Sequence, residues 1–422
     1  MKRVVVTGLG VLAPNGNGIK SFTEALKESK SGIRFFEKLK ELNFGCQIGG
    51  APIDIEEIRQ RLFNEEDRRT MNEALGYAAI AGLECWQHGG MPDPNANPDT
   101  VYEDTGAIVG VGLGGMDSIA NTLVPMVNAG KVRRMGSTMV ENIMASGPSA
   151  RLGGFLGLGG QVTTNSSACT TGTEAVAEAY YKVKDGRLNR VIAGGVESSS
   201  AFIWAGFDAM RVLPTGFNQD PERGSRPLSG TSQGFVPGSG AGLLMIEELE
   251  TALARGATIY AEILGAEINA GGQRNGGSMT APSPQGVVRC IQTALSRAKI
   301  RPEEIDLING HLTGTFADPQ EVSNWQKALG LAPKNFPMIQ ATKSLVGHGL
   351  GAAGGMECVA VILQLHHGFI HGSRNCEDLH PALVDYREKI CQQTIEKEIK
   401  IVAKASFGFG DVNGCIIFKK WE

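Results

Sequence analysis

Three short stretches of this chain hold residue types able to make and break a thioester. In Asn165-Ser166-Ser167-Ala168-Cys169-Thr170-Thr171-Gly172 a cysteine stands just ahead of a helical pattern. A thiol at a helix N-terminus faces unpaired N–H groups and the positive end of the dipole, which lower its pKa and raise its thiolate fraction. Position alone leaves two readings, a nucleophile or a small buried cysteine. The other two stretches are His311-Leu312-Thr313-Gly314-Thr315 and Lys343-Ser344-Leu345-Val346-Gly347-His348. One cysteine and two histidines suit thioester chemistry: one nucleophile, and two N–H donors that polarise a second carbonyl. Taken singly, each histidine also reads as a satisfied polar residue. A last motif, Ser406-Phe407-Gly408-Phe409-Gly410-Asp411-Val412-Asn413-Gly414, is either a tight turn with apolar packing or a source of backbone N–H groups for an oxyanion beside a hydrophobic gate.

The elements that must position these residues alternate short β-branched runs with helical patterns, the mark of an α/β fold with strands buried on both faces. Strands are predicted at 4–7, 105–111, 191–195, 305–309, 337–340 and 415–418. Residues 161–195 form a βαβ unit: a strand over 162–165, a helix over 174–184 closed by Gly186, then the strand at 191. Cys169 lies at its strand-to-helix corner, and both histidines follow predicted strands, at the carboxyl ends where open α/β sheets place their sites. A second alternation begins near Ile259, after a helix predicted over 247–255. The chain thus reads as two pseudo-equivalent halves, 1–255 with the cysteine and 256–422 with the histidines. Segments 32–65, 115–150 and 211–235 read as insertions.

Composition narrows the function. Among 422 residues, Lys+Arg 40 against Asp+Glu 44 gives a net charge of −4, which argues against a nucleic-acid footprint and an acidic disordered tail. Eight cysteines without a Cys-x-x-Cys pair argue against a zinc ribbon or disulfide scaffold and fit reduced thiols in the cytoplasm. The start, Met1 to Val6, has a signal peptide's order, but Gly8 and Gly10 break it, so a buried strand is expected. Residues 344–365, interrupted by His348 and Glu357, make a poor membrane span. Gly8-x-Gly10-x-x-Ala13 matches a dinucleotide fingerprint without its confirming acid, and His366, His367 and His371 lack a carboxylate at ligand spacing, so no metal is expected. Glycine is in excess, 57 residues, close to twice the usual ~7%, which implies tight turns and close backbone approaches.

Together these motifs resemble the β-ketoacyl-[acyl-carrier-protein] synthases, type II condensing enzymes of the thiolase superfamily. The resemblance starts at Arg3-Val4-Val5-Val6-Thr7-Gly8-Leu9-Gly10-Val11 and passes through Ser29-Lys30-Ser31-Gly32-Ile33, Ala193-Gly194-Gly195-Val196-Glu197 and Gly238-Ser239-Gly240-Ala241-Gly242 to the phenylalanine-glycine motif. It implies a thiolase-like fold of two pseudo-repeated halves in α-β-α-β-α layers, and decarboxylative condensation of a malonyl carrier with an acyl group on the cysteine. Cys169 matches the nucleophile, His311 and His348 the pair that assists decarboxylation and stabilises the enolate, and Lys343 the lysine that organises them. The backbone N–H groups of Cys169 and Phe409 match the oxyanion hole. The substrate-binding set implied is Thr280, Thr313, Thr315, Phe207, Phe407 and Glu357, the last also the acidic partner of Lys343. Arg69, Arg133, Arg134 and Arg211 fall at carrier-docking positions. The implied partners are an acyl carrier protein, which brings its own phosphopantetheine arm so that the enzyme binds no cofactor, and a second copy in a homodimer.

Several positions depart from the family pattern. Leu312 stands where glycine is usual, the loop from His311 to Glu321 is one residue short, Asp411-Val412 replaces glycine-threonine near the gate, Trp204 precedes the acyl-pocket residue Phe207, and Glu65, Glu66 and Asp67 replace basic residues. They favour, as a second reading, a specialised polyene or polyketide synthase. A non-catalytic chain-length subunit is a third, against which Cys169 counts. A coenzyme-A thiolase is disfavoured by the contexts of the two histidines.

Overall fold

Val4-Val5-Val6 opens a strand that continues through two glycines to Ala13 (β1, Val4–Ala13), in a computed structural model that describes residues 2–422. A Cβ on Gly8 would sit 2.5 Å from the Cys85 carbonyl oxygen, and one on Gly10 1.9 Å from that of Ala81. Both carbonyls belong to a long helix (α1, Glu73–His88) lying directly on the strand. The Gly8–Ala13 stretch is therefore unbroken strand, without the strand-to-helix turn that cradles a dinucleotide.

Apart from short peripheral strands (Gly16–Asn17 beside β1, and Ile33–Phe35 paired with Ile48–Gly50), the other strands of the first half are β2 (Thr105–Val111), β3 (Val162–Thr163), β4 (Arg190–Glu197) and β5 (Gly240–Glu248). Those of the second, apart from a small pair of Phe369–Ile370 with Ile395–Glu396, are β6 (Ala261–Ala270), β7 (Leu307–Asn309), β8 (Met338–Gln340), β9 (Ile401–Gly408) and β10 (Val412–Lys420). In space they run β1-β5-β4-β2-β3 and β6-β10-β9-β7-β8. Each half thus orders its strands first, fifth, fourth, second, third. The first two pairings are antiparallel and the last two parallel in both. The halves join where β1 meets β6, Val5 opposite Glu262 and Val6 opposite Ala261.

Alternation along the strands feeds three cores. Val4, Val6, Val191 and Ile246 share one with Ile263, Val402 and Phe418, and with two helices between the sheets, α3 (Thr171–Lys184) and α7 (Ala353–His367). Val109, Ile192 and Leu243 face outward onto α1 and α2 (Gly147–Leu156). Ile308, Ala403 and Ile417 face α5 (Pro284–Ala298) and α6 (Asp318–Leu329). The order is helix, sheet, helix, sheet, helix.

Local differences from the sequence reading have local causes. Glu247, expected to open a helix, lies in β5 ahead of the short helix α4 (Leu249–Ala254), and its buried carboxylate pairs with Arg190 at 2.7 Å and Arg255 at 2.8 Å. His371 is fully buried away from the exposed His366 and His367. It contacts Thr342 Oγ1 through Nε2 at 2.9 Å and the Gly372 carbonyl through Nδ1 at 3.0 Å. Among the described residues no helix is long and apolar enough to cross a membrane.

Candidate active site

The chain leaves β3, makes a short turn over Ala168–Thr170 and enters α3. Thr171 holds this corner, accepting from the Ser167 N–H at 2.8 Å and donating to the Ala168 carbonyl at 2.7 Å. The corner forces Ala168 to φ 51°, a left-handed conformation that costs an L-residue roughly 1–2 kcal/mol. The backbone N–H groups of Phe409 and Cys169 itself are directed at the Cys169 sulfur. Burial nevertheless pushes the thiol up to about 11, outweighing the field of Lys343 and those N–H groups. The expectation of a depressed pKa from the helix terminus is thus reversed: desolvation wins.

His311 follows β7. Glu321 on α6 fixes the turn, its carboxylate accepting from the backbone N–H of His311 at 2.7 Å and of Leu312 at 2.8 Å. His348 sits between the short helix Lys343–Val346 and α7. Its Nδ1 accepts from the Leu350 N–H at 3.2 Å, which places the ring proton on Nε2. The two imidazoles meet edge to face, centroids 5.3 Å apart at 84°. One ring nitrogen of each and the Cys169 sulfur all lie within 4.8 Å of one another. Burial first, then repulsion from Lys343, holds both histidines well below their ordinary pKa, so both are neutral N–H donors at pH 7.

Behind the histidines Lys343 pairs with Glu357 Oε1, both buried. Glu357 therefore does not bind substrate directly; it is a partner of lysine and lies outside the cavity wall. A second buried lysine, Lys404, approaches Glu357 Oε2 to 2.7 Å. Sequence reasoning missed it, although a lysine inside the apolar run Ile401-Val402-Ala403-Lys404-Ala405 was itself a signal that a buried anion must lie nearby.

Cys169, His311 and His348 open onto one cavity of about 470 Å³, lined also by Thr280, Thr313, Thr315, Phe207, Phe407 and Phe409. The hydroxyls of Thr313 and Thr315 are 3.0 Å apart. Phe316, not singled out from the sequence, stands 91% exposed at its mouth. Arg211 is exposed between Met210 and Val212, which line the cavity, whereas Arg69, Arg133 and Arg134 are exposed and do not line it. Three of the departing residues point away from the cavity. Trp204 packs edge-on against Phe36 in a separate core and leaves the cavity wall to Phe207. Leu312 turns into the second-half core at φ 20°, the edge of the region where glycine is at ease. Asp411 faces away from the gate, accepting from the backbone N–H of Gln273 at 2.8 Å and Ser283 at 2.7 Å.

A nucleophile on one half and two neutral histidines on the other, at the ends of parallel strands of a doubled five-strand sheet, can be compared with known proteins. Residues 1–252 match the model for the N-terminal domain of beta-ketoacyl synthase and residues 260–377 that for its C-terminal domain. The chain belongs to the beta-ketoacyl synthase family. It is 34% identical to 3-oxoacyl-[acyl-carrier-protein] synthase 1 of Escherichia coli K12, over 100% of this chain and 99% of that one. Among solved structures it resembles the ishigamide ketosynthase/chain length factor, with a TM-score of 0.89 and 29% identity over 100% of both chains. It also resembles AntDE:AntF, described as a type II PKS acyl-carrier protein in complex with its ketosynthase bound to the hexaketide, with a TM-score of 0.87 and 25% identity over 100% of both chains. Thr313 and Thr315 thus line a beta-ketoacyl synthase cavity as two paired hydroxyls.

Proposed function

We propose that this beta-ketoacyl synthase condenses malonyl-[acyl-carrier-protein] with an acyl group held on Cys169, releasing CO₂ and 3-oxoacyl-[acyl-carrier-protein] in fatty acid elongation. The observation that carries this reading is the convergence of the Cys169 sulfur and one nitrogen of each histidine within 4.8 Å at one cavity. In the first half-reaction the Cys169 sulfur attacks the acyl thioester, and its proton ends on the departing carrier thiol. A ring nitrogen within reach is needed as relay, because a thiol with a pKa of about 11 is protonated at pH 7. In the second, the malonyl C–C bond breaks, CO₂ leaves and the enolate oxygen receives N–H bonds from His311 and His348. The enolate carbon attacks the acyl carbonyl, the Cys169 and Phe409 N–H groups hold its oxyanion, and collapse expels Cys169, which is reprotonated.

The carrier brings its phosphopantetheine arm down the cavity past Thr280, Thr313 and Thr315, and no resident cofactor takes part. Exposed Arg211, at the cavity edge, fits an acidic carrier better than Arg69, Arg133 or Arg134 on the same chain. Val124, Val127, Val132 and Val140, each at least 46% exposed, fit burial against a second copy in a homodimer. We place the boundary between halves near residue 255 and the reaction in the cytoplasm, where eight free cysteines stay reduced. The polyene or polyketide reading is favoured by the likeness to the ishigamide and AntDE ketosynthases. Intact mass spectrometry after incubation with carriers bearing different acyl chains tests the scheme. An acyl adduct on the wild-type protein, absent from Cys169→Ala, is expected, and the chains accepted separate the two readings. No adduct with any chain would overturn both and leave a non-catalytic partner subunit.

A further inference from the structure

Lys404 is fully buried on β9 and donates to the Ala405 carbonyl at 2.7 Å and to Ser406 Oγ at 2.7 Å. Its ammonium also forms an ion pair with Glu357 Oε2 on α7, 2.7 Å away. Ser406 Oγ in turn lies 2.8 Å from Thr173 Oγ1, four residues beyond Cys169 on α3. Since Ser406 accepts from the ammonium, its own proton is free for Thr173. One side chain therefore connects the strand leading to Phe407 and Phe409, the helix carrying Glu357 and the helix begun by the nucleophile.

We propose that Lys404 is a positioning residue for the decarboxylation step, a second buried ammonium that shares Glu357 with Lys343 and leaves excess positive charge behind the two histidines. Two ammonium groups on one carboxylate do not cancel. Besides Glu357 and Lys343, the ionisable groups facing Lys404 are Cys358 on α7, Cys415 on β10 and the two histidines. Glu321 faces the cluster from α6, across Lys343. Loss of CO₂ moves negative charge from the malonyl carboxylate to the thioester oxygen, where the histidine N–H groups wait. A fixed positive charge behind those groups favours that movement, and the dry interior screens it little. The same charge opposes protonation of either imidazole and so keeps His348 Nδ1 free to accept from the Leu350 N–H.

Lys404→Met keeps the volume and removes the charge; Lys404→Gln keeps an N–H donor for Ser406 and also removes it. Both are compared with the wild type for CO₂ release from malonyl carrier across pH and for acyl loading of Cys169. Expected are a fall in kcat for CO₂ release of about tenfold, KM and acyl loading within about twofold, and movement of histidine protonation toward higher pH by about one unit, followed by imidazole NMR. A merely structural role would depress loading and CO₂ release together and leave the histidine titration in place. Folded variants with unchanged kcat and unmoved histidine titration would overturn the proposal. It rests on the decarboxylative reading, which fails separately if the wild type itself releases no CO₂.

Discussion

Replacing Asp411 should free the loop over the cavity while leaving the fold intact. Its carboxylate is fully buried and accepts from Gln273 and Ser283, at both ends of the loop 273–283 that carries Thr280 into the cavity wall. A second tie runs from the Gly410 N–H to the Met279 carbonyl at 2.8 Å. A hydrogen bond to a charged group contributes roughly 1.5–3 kcal/mol. Gln273 is exposed and its N–H returns to water, whereas Ser283 is 1% exposed and its N–H is stranded. The loss is therefore about one full bond and part of another, ~2–3 kcal/mol against local opening. At 1.4 kcal/mol per tenfold, that raises the open population about 30- to 150-fold. Amide exchange of peptides spanning 272–283, and tryptic cleavage after the exposed Arg274, read it directly. Asp411→Ala and Asp411→Gly should open the loop alike. Global stability should favour the glycine variant by about 1 kcal/mol, because residue 411 sits at φ 61°. Unchanged exchange and cleavage in both folded variants would refute the clamp.

Two further outcomes follow from the charge states. With its thiol pushed up to about 11, Cys169 should react with iodoacetamide at pH 7 more slowly than a free cysteine and gain speed through pH 10; fast alkylation at neutral pH would show that an imidazole already holds its proton. Burial holds His371 down to about 4, whereas unfolded it takes up a proton below about 6.5. Stability should therefore fall as pH drops from 6.5 to 4, by up to about 3 kcal/mol from this residue alone, and urea midpoints of the wild type and His371→Gln should converge across that window.

What the sequence carried was periodicity and punctuation. β2 falls on its β-branched run at 105–111, and the βαβ unit around Cys169 is present with its helix only three residues longer at the front. Cys169, His311 and His348 were legible because each follows a recognisable strand. Direction and depth were not legible. Glu357 points to two lysines, Asp411 to a loop 128 to 138 residues earlier and Trp204 to a neighbouring core, and each vector is set by long-range packing that spacing does not encode. The pKa of Cys169 was misjudged for the same reason: a helix terminus is visible in the sequence, but the amount of water removed from the thiol is not.

The glycine excess has its physical explanation where the two halves meet. Cys169 and His348 occupy equivalent places, each in the connection from the third strand of its half to the helix between the sheets. For both to reach one cavity, α3 and α7 must touch at their first turns. A Cβ on Gly172 would lie 2.5 Å from the Gly355 nitrogen, one on Gly354 2.3 Å from the Thr173 nitrogen, and one on Gly355 2.2 Å from the Gly242 carbonyl oxygen. Every one of these neighbours is backbone, so no side-chain rotation makes room. The approach that brings a nucleophile from one half to a histidine of the other is possible only without side chains at those positions, and the doubled fold becomes a single site through its glycines.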